Sequence, residues 1–431
     1  MKLTPLDAWI QRIIATSDQP LMSRLAVETW QLQKLNETLA LARGKSSFYR
    51  KHYRGLPESV SSLDELRQFP FTTPENVRAN PLRFVCVSQD EIQRVVTLQS
   101  SGTTGEPKRI YFTAEDQELT IDFFGTGMST FTEPGDKVLI LLPGETPGSV
   151  GDLLRLGLGR LGRETMPYGP VRDPLQALGM LNDKKADCLV GSPTQVLGLA
   201  RHWQPGMHKP CSVLLSTDYL PVAIVTVLEQ TWGCEVYNHY GATEMGLGGG
   251  VECEAHRGYH LREADLYFEV VNPVTGEPVP DGEHGEVVFT TLTRCGMPLI
   301  RYRMGDRSRF IPGDCPCGTT LKTLESVRGR FAGFVPVGKD ILRLPDFDEA
   351  LFLIPDLLNF GVTLTGTPGN ETVTIDAQML TDFDAAHLIE LAIRSIPAIK
   401  DLKVNIHCHH NPKEAGSLLK RVILDKRGQH A

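Results

Sequence analysis

No stretch of this chain is long and apolar enough to span a bilayer. Its first residues, Met1-Lys2-Leu3-Thr4-Pro5-Leu6-Asp7, also lack the apolar core of a secretion signal. The expectations that follow are a cytoplasmic location and no membrane partner. There is no long lysine and arginine run, and the net charge is −8, which disfavours a general nucleic-acid binder. Internal repeats and low-complexity tracts are missing too, which removes repeat arrays from consideration. Cysteine is sparse and odd in number, with nine residues at 86, 188, 211, 234, 253, 295, 315, 317 and 408. That count, without a secretion signal, argues against a disulfide framework. Most of these thiols read as small core residues; the close pair Cys315 and Cys317 is the exception.

What is present is a soluble globular composition over 431 residues, too long for one core of typical size, so two or more domains are expected. Leu32, Leu35 and Leu39 predict a helix over about Ala26 to Ala42, ending near Gly44. Pro70-Phe71-Thr72-Thr73-Pro74 reads as a turn that starts another helix. Lys137 to Leu142, Asp187 to Gly191 and Ser212 to Ser216 are short apolar runs, as expected of strands buried on both faces of a parallel sheet. Helical patterns at Pro174 to Leu181 and Pro221 to Gln230 lie between or after them, so the fold class is α/β. Ligands of such sheets sit beyond the carboxyl ends of the strands. Ser216, Asp218 and the run Tyr237 to Gly241 are site candidates on that ground.

From Tyr267 to about Phe310 the pattern changes to antiparallel strands with tight turns, a small β subdomain. A linker is expected around Arg328-Gly329-Arg330. Beyond it come a strand pair near Gly361 to Ile375, a helix from Asp384 to Ser395 and a strand at Leu402 to His407. The expected organisation is a large N-terminal domain over residues 1–328, with mixed and parallel sheets, and a small mobile α+β domain over 329–431.

The most informative stretch is Ser100-Ser101-Gly102-Thr103-Thr104-Gly105-Glu106-Pro107-Lys108, flanked by Arg94 to Gln99 and Arg109 to Thr113. It reads as strand, glycine-rich loop, strand. Glycines let backbone N–H groups approach an anion, while the hydroxyls and the lysine add donors, so a polyphosphate is the natural guest. The Walker loop differs, because its lysine opens a helix, whereas Lys108 precedes a strand-like run. An ordinary hairpin turn is the bland alternative.

Three further constellations follow in order: Tyr240-Gly241-Ala242-Thr243-Glu244, Ile300 to Asp306, and Gly329-Arg330. With the loop, their order and spacing resemble the adenylate-forming enzymes, which include acyl-CoA synthetases, luciferases and peptide-synthetase adenylation domains. Pro70 to Pro74, Asp281 to Glu286, Phe289-Thr290-Thr291-Leu292 and Leu299 to Arg303 are similar to the phenylacetate–CoA ligase branch. The resemblance runs from about Lys45 to Arg330. It implies an AMP-forming ligase that uses ATP to turn a carboxylic acid, aromatic or otherwise small, into an acyl-adenylate and pyrophosphate. A thiol, that of CoA or of a carrier protein, then displaces AMP.

The resemblance implies roles for single residues. Ser101, Gly102, Thr103, Thr104, Gly105 and Lys108 hold the departing pyrophosphate, where negative charge develops. Glu244 ligates Mg²⁺, a hard cation that prefers carboxylate oxygen. Tyr240, in its Gly241 and Thr243 context, lies against adenine, and Asp306 accepts from the ribose hydroxyls. Ser216, Asp218 and Arg330 complete the nucleotide-binding set. A homodimer is the family's usual habit.

Two features stand apart. Cys253, His260, Cys315 and Cys317 suit a structural Zn²⁺ site of the Cys3His kind, with His260 preferred over His256 because branch members carry Cys, then Gly-x-His, then Cys-x-Cys. The C-terminal third departs from the pattern. Ala332 stands where the family hinge carries an acid, and the Gly-Lys pair with the late catalytic lysine is shifted, leaving Lys420, or Lys413, for that role. The altered hinge and lysine keep two alternatives open: an enzyme that passes its acyl group to a carrier thiol or an amine, and a catalytically weakened protein that binds AMP or an acyl-adenylate.

Overall fold

A computed structural model describes residues 1–14, 22–98, 106–413 and 421–428. They divide into two units. Met1–Phe131, Thr146–Leu161 and His239–Val327 make the first, and Thr132–Glu145, Gly162–Asn238 and Arg328–Ala431 the second.

In the first unit the expected leucine-spaced helix runs Arg24–Lys45. The Ser23 side chain caps it by accepting from the Ala26 N–H, and Leu35 and Leu39 are buried. Thr73 starts the next predicted helix, Pro74–Ala79, through a reciprocal capping box with Asn76. The strands flanking the glycine-rich loop are Ile92–Leu98 and Lys108–Thr113, paired antiparallel with Leu98 opposite Lys108. Thr113 and Asp116 then form a second capping box that turns the chain into the helix Ala114–Met128. That helix packs on Val150–Arg160 where Gly125 meets Gly157. A Cβ on Gly157 would lie 2.6 Å from the Ile121 carbonyl oxygen, so the crossing requires glycine.

The small β subdomain is a three-stranded antiparallel sheet of Leu266–Val271, Gly285–Thr291 and Tyr302–Ser308. Arg301, 2 % exposed and at φ 48°, locks its entry. The guanidinium donates to both oxygens of Glu269 (2.8 and 3.1 Å) and to the carbonyls of Arg67 and Phe69. Phe71 lies under Arg301 and Arg303, and Thr72 exchanges backbone bonds with Arg301 and Arg303. Two motifs far apart in sequence thus form one joint.

In the second unit five strands run parallel in the order Glu235–Tyr240, Ser212–Leu215, Cys188–Gly191, Lys137–Ile140, Glu164–Pro167. The last two residues of Glu235–Tyr240 belong to the first unit. Every residue of Cys188–Gly191 and Ser212–Leu215 is buried, as their unbroken apolar character requires. The helices Pro174–Lys184 and Val222–Trp232 stand where the sequence puts them.

The final segment of this unit opens at Arg328, beside the expected linker. It holds a four-stranded sheet in the order Lys403–His410, Asn370–Met379, Leu357–Thr367, Ile423–Asp425. The central pair is antiparallel and both outer pairings are parallel. Its buried residues, among them Phe347, Leu364 and Ile375, share one apolar cluster with Leu189, Val213 and Ile224 of the parallel-sheet segment. The mixed α/β architecture agrees with the predicted fold class. Among the described residues, no helix is long and apolar enough to cross a membrane.

Candidate active site and metal cluster

Within the first unit, Glu235–Tyr240 ends at a turn built to present Glu244. Gly241 opens it: a Cβ there would lie 2.0 Å from the Leu247 carbonyl oxygen, so no other residue fits. Thr243–Met245 forms a single 3₁₀ turn, closed by Gly246 at φ 74°. Arg294 holds this turn from behind, donating to the Glu244 carbonyl (2.7 Å) while its guanidinium lies 4.2 Å over the Phe112 ring.

The Glu244 carboxylate forms an ion pair with the Lys108 ammonium, the first residue of the second hairpin strand. Both residues are buried, at 5 % and 9 % exposure. The Tyr302 hydroxyl completes the group, 3.1 Å from Lys108 Nζ and 3.3 Å from Glu244 Oε1. Asp306 lies on the same face of the strand Tyr302–Ser308, where Tyr302, Met304 and Asp306 alternate inward. Its Oδ2 accepts from the Tyr240 hydroxyl at 2.9 Å. The Tyr240 ring stacks on Tyr259, with centroids 5.5 Å apart and planes 24° apart. Lys108, Glu244 and Tyr302 therefore meet in one cluster, and Tyr240 and Asp306 in a second pair.

Tyr302 and Arg294 carry no expected role, although Tyr302 lies inside a quoted motif. Its place two and four residues before Met304 and Asp306 is the signal, because alternation puts all three on one side of a strand. Of the remaining candidates, Ser101, Gly102, Thr103, Thr104, Gly105 and Lys420 lie outside the described residues.

Ser216, Asp218 and Arg330 belong to the second unit. Ser216 follows the carboxyl end of Ser212–Leu215, and its N–H donates to the Gly191 carbonyl at 3.1 Å. Thr217 beside it sits at φ 79°, a conformation that costs a β-branched residue about 1–3 kcal/mol. Asp218 accepts from the Tyr219 N–H at 2.9 Å, and its Oδ2 is 3.9 Å from Arg421 Nε. Arg421 also pairs with Asp348 at 2.8 Å, and burial pushes the Asp348 carboxyl up to about 7 against the pull of that arginine. Arg330 is exposed and precedes the short turn Phe331–Gly333 that contains Ala332. Lys413 is exposed as well.

Cys253, His260, Cys315 and Cys317 come together, all buried, with their ligand atoms within 4.8 Å of one another. Cys253 follows the strand Gly250–Glu252, His260 is central in Tyr259–Leu261, and the two other thiols sit in a turn closed by Gly318 at φ 85°. Sγ of Cys253 is 3.7 Å from Sγ of Cys315, and His260 Nε2 is 3.2 Å from Cys253 Sγ and 3.4 Å from Cys317 Sγ. Bonds of about 2.3 Å to sulfur and 2.0–2.1 Å to nitrogen in a tetrahedron require edges of this length. His260 Nδ1 lies 3.3 Å from Thr323 Oγ1, which fixes the ring. Burial, reinforced by the neighbouring thiols, pushes the Cys253 and Cys317 thiols up, and burial pushes His260 down to about 4, so its ring is neutral as a ligand must be. His256 instead points to Glu252, at 3.6 Å. The residues fit a metal ion.

Residues 34–293 match the family described as AMP-binding enzyme. The phenylacetate-coenzyme A ligase of Escherichia coli (strain K12) is 30 % identical over 318 residues, which cover 70 % of this chain and 71 % of that protein. The enzyme of the same name from Aromatoleum evansii is 31 % identical over 317 residues, covering 70 % and 69 %. Among solved structures, a 2-hydroxyisobutyryl-CoA ligase in its postadenylation state with 2-HIB-AMP superposes with a TM-score of 0.81 over 96 % of this chain and 94 % of that one. At 19 % identity that likeness establishes a shared fold.

Proposed function

Since the chain belongs to the AMP-binding enzyme family, in its phenylacetate–CoA ligase branch, we propose that it is an AMP-forming acid–CoA ligase. A carboxylate oxygen of an aromatic or other small organic acid attacks the α-phosphorus of ATP, and the bond to pyrophosphate breaks. The CoA thiolate then attacks the acyl carbon of the adenylate, and AMP leaves with the bonding electrons.

One observation carries this reading: the buried Lys108–Glu244 pair held by Tyr302. Burying two charges costs several kcal/mol per ion, roughly, and apolar residues pack as well without it, so stability alone is a poor reason for the pair. Its use is chemical. With nucleotide bound, Lys108 would turn to the phosphates, for which Ser101 to Gly105 would supply further donors, and the Glu244 carboxylate would be free to hold Mg²⁺. That cation, when bound, neutralises charge on the departing pyrophosphate. Arg294 keeps the Glu244 turn in place throughout. Asp306, oriented by the Tyr240 hydroxyl, accepts from the ribose, while the Tyr240 ring borders the adenine site. From the resemblance we also assign nucleotide binding to Ser216, Asp218, Thr243 and Arg330, and adenylation to Lys420. Zinc is the ion we assign to the Cys3His cluster, where it ties the Cys315 turn to Tyr259–Leu261.

We further read Gly329 to Ala431 as the small mobile domain, the acting form as a homodimer, and the location as cytoplasmic, where ATP and CoA are supplied. A second reading is favoured by Ala332 at the hinge position: acyl transfer to a carrier-protein thiol or an amine.

The test is pyrophosphate release over a panel of carboxylic acids, phenylacetate first, with and without CoA, with thioester measured by mass spectrometry. Acid-dependent release with thioester formation is expected. Release without thioester would move the assignment to the second reading. No release with any acid, despite ATP binding, would leave a nucleotide-binding protein without ligase activity.

A further inference from the structure

The sheet of the final segment carries a group of metal-ligating side chains that the ligase reading does not use. Its outermost strand, Lys403–His410, contains His407 and His409, two residues apart and therefore on the same face. The parallel register sets Asp376 of Asn370–Met379 beside His407, and Gln378 beside His409. One carboxylate oxygen, Asp376 Oδ1, lies 3.0 Å from His407 Nδ1 and 4.0 Å from His409 Nε2. The two imidazole centroids are 6.5 Å apart. The side chains are about half exposed, at 57 %, 56 % and 43 %.

We propose that Asp376, His407 and His409 form a surface site for a divalent transition-metal ion of the Zn²⁺, Ni²⁺ or Cu²⁺ class. Around a cation with bonds of 2.0–2.2 Å, neighbouring ligand atoms stand roughly 3.0–3.5 Å apart. The Asp376–His407 spacing already matches, and His409 closes the remaining gap by a turn of an exposed ring, a motion of picoseconds to nanoseconds. Two imidazoles and a carboxylate suit these ions, whereas Mg²⁺ and Ca²⁺ prefer oxygen alone. Gly361 stands opposite Asp376 in the next strand, and a Cβ there would meet nothing within 4 Å, so coordinated water has room beside the carboxylate. The opposite face of the same strands is apolar and buried, with Ile375 and Ala377 in the core, so the ligands are held on a fixed backbone. The Cys3His cluster differs in kind: it is buried and rich in thiolate, whereas this site is open and exchangeable. An ion here would link the outer strand to its neighbour.

The test uses the full chain without an affinity tag, its zinc content measured first, titrated with NiCl2 by calorimetry. One nickel per chain is expected. His407→Gln and His409→Gln should each weaken binding by about tenfold or more, and Asp376→Asn by about tenfold whether it binds directly or through His407. Because all three side chains are exposed, the variants should unfold at the wild-type temperature in the absence of nickel. Absence of nickel binding to the wild-type chain, or wild-type affinity in His409→Gln, would overturn the site.

Discussion

The first unit buries two polar constellations of opposite character. Lys108, Glu244 and Asp306 are hard, charged groups held by tyrosine hydroxyls, and the arrangement keeps full charges out of water. Cys253, His260, Cys315 and Cys317 are soft groups, and burial favours the neutral forms of Cys253, His260 and Cys317. Buried charges that pair with one another are suited to a ligand that comes and goes, because each can exchange its partner for an opposite charge on the ligand. Thiols and an imidazole at tetrahedral spacing are suited to one permanent guest. On the proposed function, the difference separates a site for chemistry from a site for cohesion.

The largest effect should come from breaking the first constellation. Glu244→Gln is expected to lower acid-dependent pyrophosphate release by about 100-fold or more, measured at a temperature where circular dichroism shows the variant folded. Asp306→Ala removes a charge-assisted acceptor and should raise the KM for ATP by about tenfold to a hundredfold, with a smaller change in kcat. If kcat fell and KM held, Asp306 would act on the chemical step and not on ATP binding.

The second constellation should respond in stability and metal content. Cys315→Ser is expected to release the ion and lower the unfolding midpoint by roughly 5 °C or more. His256→Ala should change neither, since His256 faces Glu252 and not the cluster. Equal metal loss in both variants would erase the distinction between the two histidines.

Much of this was legible in the sequence, and the reasons are local. Ser212–Leu215 and Cys188–Gly191 are readable because strands buried on both faces need unbroken apolar runs. Glu244 and Asp306 stand out in the sequence only through the resemblance of their motifs; the structure adds that Gly241 shapes the turn carrying the first and that the alternation of Tyr302–Ser308 buries the second. The helices Ala114–Met128 and Val150–Arg160 were not legible. Their interiors contain Gly125, Gly127, Gly151, Gly157 and Gly159, which helix propensity disfavours. Those at 125 and 157 permit a close helix crossing that only the folded chain reveals. The role of Tyr302 was hidden for a related reason: its partners lie 194 and 58 residues away.

The central claim is that the Lys108–Glu244 pair opens to receive a magnesium nucleotide. Calorimetric titration of ATP, with and without Mg²⁺, into the wild-type chain and Glu244→Gln tests it most directly. The wild type should bind ATP more tightly with Mg²⁺ present, and the variant should bind ATP with that enhancement lost. No heat with ATP, AMP or an acyl-adenylate mimic, or an undiminished magnesium effect in the variant, would contradict it.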